Sequence, residues 1–142
     1  MVLGIDFGQR RIGLATGNTL TGTARPLETL RHDGNPYEQL ARVIHEWRPR
    51  RIVVGLPLTI QGEESASTRA ARDFAREVAE RHPDIAVDLH DERYSSRAAD
   101  ARFVEARRQG EARRRDARNL DSVAAAVIVE SFLAAHRAGS WP

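Results

Sequence analysis

The chain has 142 residues, of which 41% are apolar and 30% charged, with a net charge of +2 and no cysteine; this length predicts a single domain over residues 1–142. The absence of cysteine excludes disulfide frameworks, thiolate zinc sites and cysteine nucleophiles, and no apolar run is long enough to span a bilayer. No leader of basic and then apolar residues is recognisable, so we expect no signal peptide and a cytoplasmic location.

The first part of the chain predicts an antiparallel meander of three strands. The strands are expected over Val2–Gly8, Ile12–Thr16 and Gly22–Leu30. The pair Gly17-Asn18 is interpreted as a turn between the second and third strands. Pro26 favours an edge position for the third strand, because proline donates no hydrogen bond to a neighbouring strand.

The pattern then changes to helices that alternate with strands. Asn35 is expected to cap a first helix, with Pro36 at its first helical position. The apolar stripe of that helix consists of Leu40, Val43, Ile44 and Trp47. The following run, Arg51–Pro57, is apolar throughout its middle and is typical of a strand inside a parallel sheet.

The remaining elements complete an α/β pattern. We expect a second helix from about Ser65, a fifth strand over Ile85–His90, a third helix over Ser95–Arg108 and a last helix over Leu120–Arg137. The order β-β-β-α-β-α-β-α-α describes an antiparallel meander that is followed by two right-handed crossovers. The first strand should therefore be central, between the meander and the crossover strands.

Acidic residues stand where several of these elements begin or end. Asp6 ends the first strand, either Asp91 or Glu92 follows the fifth, and Asp121 opens the last helix. Binding sites in open α/β sheets form beyond the carboxyl ends of the strands, where the strand order reverses. Carboxylates gathered there would repel one another, and Mg²⁺ or Mn²⁺, which prefer oxygen ligands, would relieve the repulsion. Gly4, on the same strand face as Asp6, is expected to pack against the last helix.

Each carboxylate taken singly also has a structural explanation. An aspartate that closes a buried strand is often a turn residue, and an aspartate in the first turn of a helix often stabilises the helix dipole. The metal interpretation depends on all of them reaching one end of the sheet. Val54–Pro57 ends the fourth strand without a carboxylate, and we expect it to shape a groove with room for substrate.

Six short motifs occur in order along the chain. They are Ile5–Gly8, Arg11–Gly13, Thr21–Pro26, Val54–Leu58, His90–Arg93 and Asp121–Ala125. Together they resemble the YqgF/RuvX family, which comprises RuvC-like proteins of the RNase H-like superfamily that are named as pre-16S rRNA nucleases. Members have also been described as Holliday junction resolvases. The resemblance covers essentially the whole chain.

The resemblance implies both a fold and an activity. The implied fold is RNase H-like, with a five-stranded mixed sheet in which the meander pairs with the first strand. The implied activity is hydrolysis of phosphodiesters with Mg²⁺ or Mn²⁺, in maturation of the 5′ end of 16S rRNA, and Asp6, Glu92 and Asp121 take the catalytic and metal-binding positions. Strand alternation alone leaves the choice between Asp91 and Glu92 open.

All 22 residues counted as lysine or arginine are arginines, and several of them are clustered in one segment. Residues 107–118 contain six arginines and two acidic residues, a local charge of +4. Guanidinium groups bind phosphate oxygens bidentately, although a solvated loop or hairpin tip would have the same composition. The candidate nucleic-acid contacts are Arg10, Arg11, Arg113, Arg114 and Arg115.

Competing functions differ mainly in substrate. The preferred interpretation is a metal-dependent nuclease that acts on pre-16S rRNA, as a monomer or a homodimer. A resolvase of four-way DNA junctions would use the same site but would need a two-fold dimer. A non-catalytic RNA-binding assembly factor would not need three acids. Gly4–Gly8 also resembles the first phosphate loop of actin-like ATPases, but those enzymes need a second lobe to close over the nucleotide.

Overall fold

A computed structural model describes residues 1–59, 61–92 and 117–136. Its elements are β1 (Val2–Phe7), β2 (Arg11–Asn18), β3 (Thr23–Arg31), α1 (Tyr37–Trp47), β4 (Arg51–Leu56), α2 (Ala66–Arg81), β5 (Ala86–Asp91) and α3 (Ala117–Ala135). Among these residues, no helix is both long and apolar enough to cross a membrane. The helix predicted over Ser95–Arg108 lies outside the described residues.

The strands form one mixed sheet in the order β3-β2-β1-β4-β5. β1 pairs antiparallel with β2 and parallel with β4, while β3 and β5 form the two edges. The predicted sheet is thereby confirmed, with β1 at its centre and the proline-containing β3 at an edge. The strand order reverses beside β1, so the carboxyl end of β1 lies where a site is expected in this kind of sheet.

Helices cover both faces of the sheet. Because successive side chains of a strand point to opposite faces, each strand contributes to two cores. One face packs against α1 and α2 through residues that include Leu3, Ile5, Ile12, Leu14, Val54, Leu40, Phe74 and Val78. The other face packs against α3 through residues that include Val2, Ala15, Val53, Ala125, Val129 and Phe132.

α3 lies directly on the backbone of β1 and β2, because glycines leave no side chains between them. A Cβ atom on Gly4 would overlap a methyl group of Val129, and one on Gly13 would overlap the backbone carbonyl of Asp121. The expected packing of Gly4 against the helix that carries Asp121 is confirmed. Gly13 makes the closer approach and sets the height of Asp121 above the sheet.

Two predictions about α1 are wrong. The N-cap residue is Pro36, which makes no side-chain cap hydrogen bond, while the Asn35 side chain accepts a hydrogen bond from the Tyr37 N–H at 3.4 Å. Trp47 was assigned to the apolar stripe with Leu40, Val43 and Ile44, but it is 42% exposed while the other three are buried. It is the last residue of the helix, and Arg48 then adopts a left-handed conformation with φ 49°, so no further helical turn covers the ring.

The turn predicted at Gly17-Asn18 lies further along the chain. Both residues belong to β2. Gly17 lies under α3, where the side chain of Val129 packs onto the strand. The turn follows Asn18, whose side-chain oxygen accepts hydrogen bonds from the backbone N–H groups of Leu20 and Thr21. An asparagine that binds the backbone two residues ahead is a turn initiator, so the turn signal was present but began one residue later than expected.

We predict that Gly13→Ala destabilises the protein by roughly 3 kcal/mol or more, at the upper end of the cost of overpacking. The added methyl group meets the backbone of Asp121, which moves only if the whole helix moves. Gly17→Ala is a matched control in the same strand, because its methyl group meets the side chains of Val129 and Leu133 instead. Urea denaturation measures both variants, and equal stability losses would contradict the backbone contact.

Candidate active site

The sheet places Asp6 and Glu92 on the face that is covered by α3. Asp6 follows Gly4 at the strand period of two, so it shares the face of Gly4. Glu92 lies just beyond β5, and it shares the face of His90, whose Nε2 is 2.8 Å from Ser131 Oγ of α3. Asp91 falls on the opposite face. The geometry therefore brings Glu92, rather than Asp91, to the side of the sheet where Asp6 lies.

The carboxyl groups of Asp6 and Glu92 share a hydrogen bond. Burial, followed by the charge of Glu92, the hydrogen bond to it and the charge of Asp121, raises the pKa of Asp6 to about 8. Burial also raises the pKa of Glu92. Because the pKa of Asp6 is raised to about 8, this carboxyl group retains its proton near neutral pH when no cation is bound beside it.

Gly55 of β4 makes the approach of these two acids possible. β4 lies between β1 and β5 in the sheet. A Cβ atom on Gly55 would be 2.5 Å from Oε1 of Glu92 and 2.5 Å from Cδ1 of Ile128. The room that was expected at Val54–Pro57 is thus occupied by the Glu92 carboxyl group, which extends over β4 toward Asp6.

Asp121 approaches the pair from α3. Its Oδ2 atom is buried and accepts no hydrogen bond. The closest cation among the described residues is Arg11, whose Nε lies 3.3 Å from Oδ2, close enough for an ion pair but not aligned as a hydrogen bond. The Arg11 side chain is 42% exposed, so solvent screens much of this attraction.

These oxygens are a donor set that suits a hard divalent cation. Within the described parts of the chain, no three acidic or histidine side chains are close enough to coordinate one ion as they stand. However, one oxygen of Asp121 lacks a hydrogen bond, and the raised pKa of Asp6 keeps that carboxyl group protonated when no cation is bound beside it. A cation that replaced the proton and Arg11 would satisfy all three carboxylates, so the residues fit an oxygen-coordinated metal.

The arginine candidates fall into two groups. Arg10 and Arg11 line a cleft beside the carboxylates together with Arg31 and His32, two residues that the sequence analysis did not single out. Arg31 and His32 reach this cleft because the antiparallel register of β2 and β3 pairs Arg31 with Arg11. A local sequence pattern does not show this register. The remaining candidates, Arg113, Arg114 and Arg115, lie outside the described residues.

His90 serves the packing of α3 rather than the acidic site. Its ring is buried, bonds Ser131 Oγ, and meets the Phe132 ring edge-on at 5.8 Å between centroids. Burial, followed by the nearby His136, lowers its pKa. A neutral imidazole that is held in this way fixes the last residues of β5 before Glu92.

Solved structures with this architecture are RuvC-like resolvases. T. thermophilus RuvC in complex with a Holliday junction substrate superposes with a TM-score of 0.66 at 18% identity, and the match covers 98% of this chain and 96% of RuvC. The fowlpox virus resolvase in complex with Holliday junction DNA gives 0.58 at 12% identity, with 96% and 99% covered. The chain thus has the RNase H-like fold of these nucleases, as the sequence motifs implied.

Sequence comparison identifies the family within this class. The family model RuvX, described as Holliday junction resolvase, matches residues 1–135. Proteins of Xanthomonas oryzae pv. oryzae (strain PXO99A) and Xanthomonas campestris pv. campestris (strain 8004), each named "Putative pre-16S rRNA nuclease", are 47% identical to this chain. Both alignments cover 136 residues, 94% of this chain and 87% of the relative.

The chain belongs to the RuvX family, and it is a nuclease that hydrolyses phosphodiester bonds. Its partner is nucleic acid, and nucleases with this RuvC-like fold generally use divalent metal ions. The family resemblance read from the motifs is confirmed.

In the absence of divalent metal, we predict that the contribution of Asp6 to the free energy of unfolding falls as the pH rises from 3.8 to about 8. The folded protein keeps the proton on Asp6 in this range while the unfolded chain releases it, so the folded state binds more protons and loses stability with rising pH. The slope from this one group is at most about 1.4 kcal/mol per pH unit. Urea denaturation in EDTA at several pH values measures it.

The variant Asp6→Asn is the control for this titration, because asparagine has nearly the same shape and does not ionise. The stability difference between wild type and variant should change with pH in favour of the variant, while contributions from histidines cancel. Saturating Mg²⁺ should flatten the wild-type profile, since the ion replaces the proton. Parallel profiles for the two proteins would show that Asp6 ionises at an ordinary pH.

Proposed function

We propose that this enzyme cleaves precursor 16S rRNA in maturation of its 5′ end, and that Asp6, Glu92 and Asp121 hold Mg²⁺ or Mn²⁺ for the reaction. The observation that carries the proposal is the half-buried acidic pair beside the Asp121 oxygen that lacks a hydrogen bond. The substrate follows from the name shared by relatives that are 47% identical over 94% of the chain. A precursor rRNA as substrate implies a cytoplasmic enzyme.

The residues of the chain prepare the site in three ways. Asp6 and Glu92 give up their shared proton, and the carboxylates formed become ligands on the α3 face of the sheet. Asp121 would hold the metal in place of its contact with Arg11, which would leave the guanidinium available for a phosphate oxygen. When bound, the divalent cation supplies Lewis-acid stabilisation of the phosphoryl oxygens and activation of water.

The fold fixes these ligands before the metal arrives. Asp6 extends from the central strand, and Asp121 is held above the sheet by the close contact of its backbone with Gly13. Glu92 is kept in reach of Asp6 because Gly55 leaves the space over β4 open. The backbone of these residues is held in place in this way, so that only their side chains have to move to bind one ion.

Arginine side chains hold the substrate through its phosphates. Arg11 lies nearest to the carboxylates, and Arg10 lines the same cleft. The arginines at 113–115 add a local positive charge next to Asp121 in sequence. Contacts of this kind position a nucleic acid without reading its sequence, so we propose that the shape of the RNA selects the cleavage site. A single domain over 1–142 suffices to cut one strand, whereas symmetric resolution of a DNA junction requires a two-fold dimer.

The test is a cleavage assay with Mg²⁺ or Mn²⁺ that offers precursor 16S rRNA and a four-way DNA junction to the same preparation. The wild-type enzyme should cut the RNA near the mature 5′ end and leave the junction uncut. Asp6→Asn should abolish cleavage, with a loss of roughly a hundredfold or more, because the metal loses a charged ligand. Asp73→Asn, on the exposed surface of α2, is the matched control and should keep full activity.

Each alternative function gives a distinct result. Symmetric cutting of the junction by a dimer, with the RNA left intact, would establish the resolvase activity in place of RNA processing. Retained metal-dependent cleavage in Asp6→Asn would show that Asp6 is not an essential ligand. Binding of the RNA without any cleavage would support a non-catalytic assembly factor.

A further inference from the structure

A basic cleft lies next to the carboxylates, at the ends of β2 and β3. It has a volume of about 450 Å³ and is lined by Arg10, Arg11, Arg31 and His32. Arg10 precedes β2, Arg11 begins it, and Arg31 ends β3. The cleft therefore brings together arginines that are twenty residues apart in the sequence.

The charges around this cleft are poorly compensated within the fold. Arg11 and Arg31 are directly opposite partners in the β2–β3 pair, and like charges at such positions destabilise a sheet. Arg11 has Asp121 as a counter-ion, whereas in the described part of the chain Arg10 and Arg31 form no ion pair. Guanidinium groups in this arrangement are suited to an external anion, above all to phosphate oxygens.

Two of the residues that line the cleft, Arg11 and Arg31, lie on the same face of the sheet as the carboxylates, while His32 contacts Phe7 on the other face. Arg11 lies two residues before Gly13, which packs under α3, and Arg31 is its neighbour across the ladder. Adjacent strands are about 4.8 Å apart, so β3 is roughly 10 Å from β1. A nucleic-acid strand with its scissile phosphate at Asp6 would thus carry its neighbouring phosphates across β2 to the cleft.

A hydrogen-bond network holds the cleft in shape without a ligand. His32 Nδ1 accepts a hydrogen bond from the Gly34 N–H at 3.0 Å, so its Nε2 carries the hydrogen and donates it to the Gly8 carbonyl at 2.8 Å. The His32 N–H also donates to the carbonyl of Arg10 at 2.9 Å. The turn that carries Arg10 is therefore tied to the end of β3, and a site formed in advance loses less entropy on binding.

We propose that Arg10 and Arg31, with Arg11 between them and the carboxylates, form a phosphate subsite that binds the backbone of the substrate strand beside the scissile phosphate. The subsite recognises phosphodiester groups and not bases. This inference rests on the proposed function and extends it, because it states how the substrate strand crosses the sheet. It also assigns to Arg31 a role in binding that its place on an edge strand does not otherwise explain.

The experiment compares Arg10→Gln, Arg31→Gln and the double variant in the full-length protein. Binding to a fluorescein-labelled RNA hairpin with a single-stranded 5′ extension is measured by anisotropy in EDTA, which prevents metal-dependent cleavage, from about 50 to 200 mM salt. Each variant should bind roughly tenfold more weakly at low salt. The slope of log affinity against log salt should fall by roughly one unit for each arginine removed.

Arg76→Gln is the matched control. Arg76 is 72% exposed on α2, which covers the opposite face of the sheet, and the substitution makes the same change in net charge. Affinity and salt slope of Arg10→Gln and Arg31→Gln equal to those of Arg76→Gln would overturn the subsite. A second RNA of the same length and different sequence should show the same losses, and losses confined to one sequence would also overturn it.

Thermal unfolding separates a binding role from a structural one. Arg31→Gln removes a like charge opposite Arg11, so the variant should unfold at the same temperature as the wild type or a higher one. Weaker binding together with a lower unfolding temperature would indicate a structural role and contradict the proposal.

The outcome for the subsite is distinct from the outcome for the substrate. If the wild type cleaves precursor rRNA but both arginine variants bind normally, the subsite is wrong and the proposed function stands. If the wild type binds a four-way DNA junction instead of RNA and the variants lose that binding, the subsite stands and the proposed RNA substrate is wrong. If the wild type binds neither nucleic acid, the subsite is wrong.

Discussion

The repulsion among half-buried carboxylates at the carboxyl end of β1 is the constraint on which the rest of this structure depends. Asp6 and Glu92 lie close enough to share a proton, and Asp121 adds to the negative charge that raises the pKa of Asp6. Such a group of acids is tolerated only with positive charge nearby. Within the described protein that charge comes from the shared proton and from Arg11. We propose that a divalent cation takes the place of both and binds all three acids.

Close packing of the backbone is what brings the acids together. Glycines at positions 4 and 13 let α3 rest on β1 and β2, so that Asp121 approaches the sheet through its own main chain. Gly55 plays the corresponding part on the other side, where a side chain would displace the carboxyl group of Glu92. The site is therefore made as much by missing side chains as by the acids themselves. Because protein interiors are closely packed, small changes at these glycines are transmitted directly to the three acids.

The same end of the sheet carries opposite charges on its two halves. Glu92 and Asp6 extend from β5 and β1, whereas Arg11 and Arg31 extend from β2 and β3. A nucleic-acid strand is repelled by the acidic half of the sheet edge unless a metal is bound there. The arginine half attracts the nucleic acid whether or not a metal is bound. Substrate binding and metal binding should consequently support each other, with Arg11 at the boundary between them.

Much of this arrangement could be predicted from the sequence, and the reasons for the remainder are physical. The apolar strands, the edge position given by Pro26 and the central position of β1 follow from local patterns and from the rules of chain connection. The choice between Asp91 and Glu92 does not follow from local patterns. Strand alternation shows which residues share a face of the sheet, but it does not show which face α3 covers. Arg31 was missed for a related reason, since only the register of β2 and β3 brings it next to Arg11. Trp47 was misplaced because a periodic pattern does not show where the neighbouring element ends.

The choice of face is the central claim, and substitution of two adjacent acids tests it most directly. Glu92→Gln and Asp91→Asn each remove one charge at neighbouring positions, and Mn²⁺ binding is followed by calorimetry together with cleavage of precursor rRNA. We predict that Glu92→Gln loses Mn²⁺ binding and cleavage, while Asp91→Asn retains both. Loss of Mn²⁺ binding in Asp91→Asn, with Glu92→Gln unaffected, would contradict it.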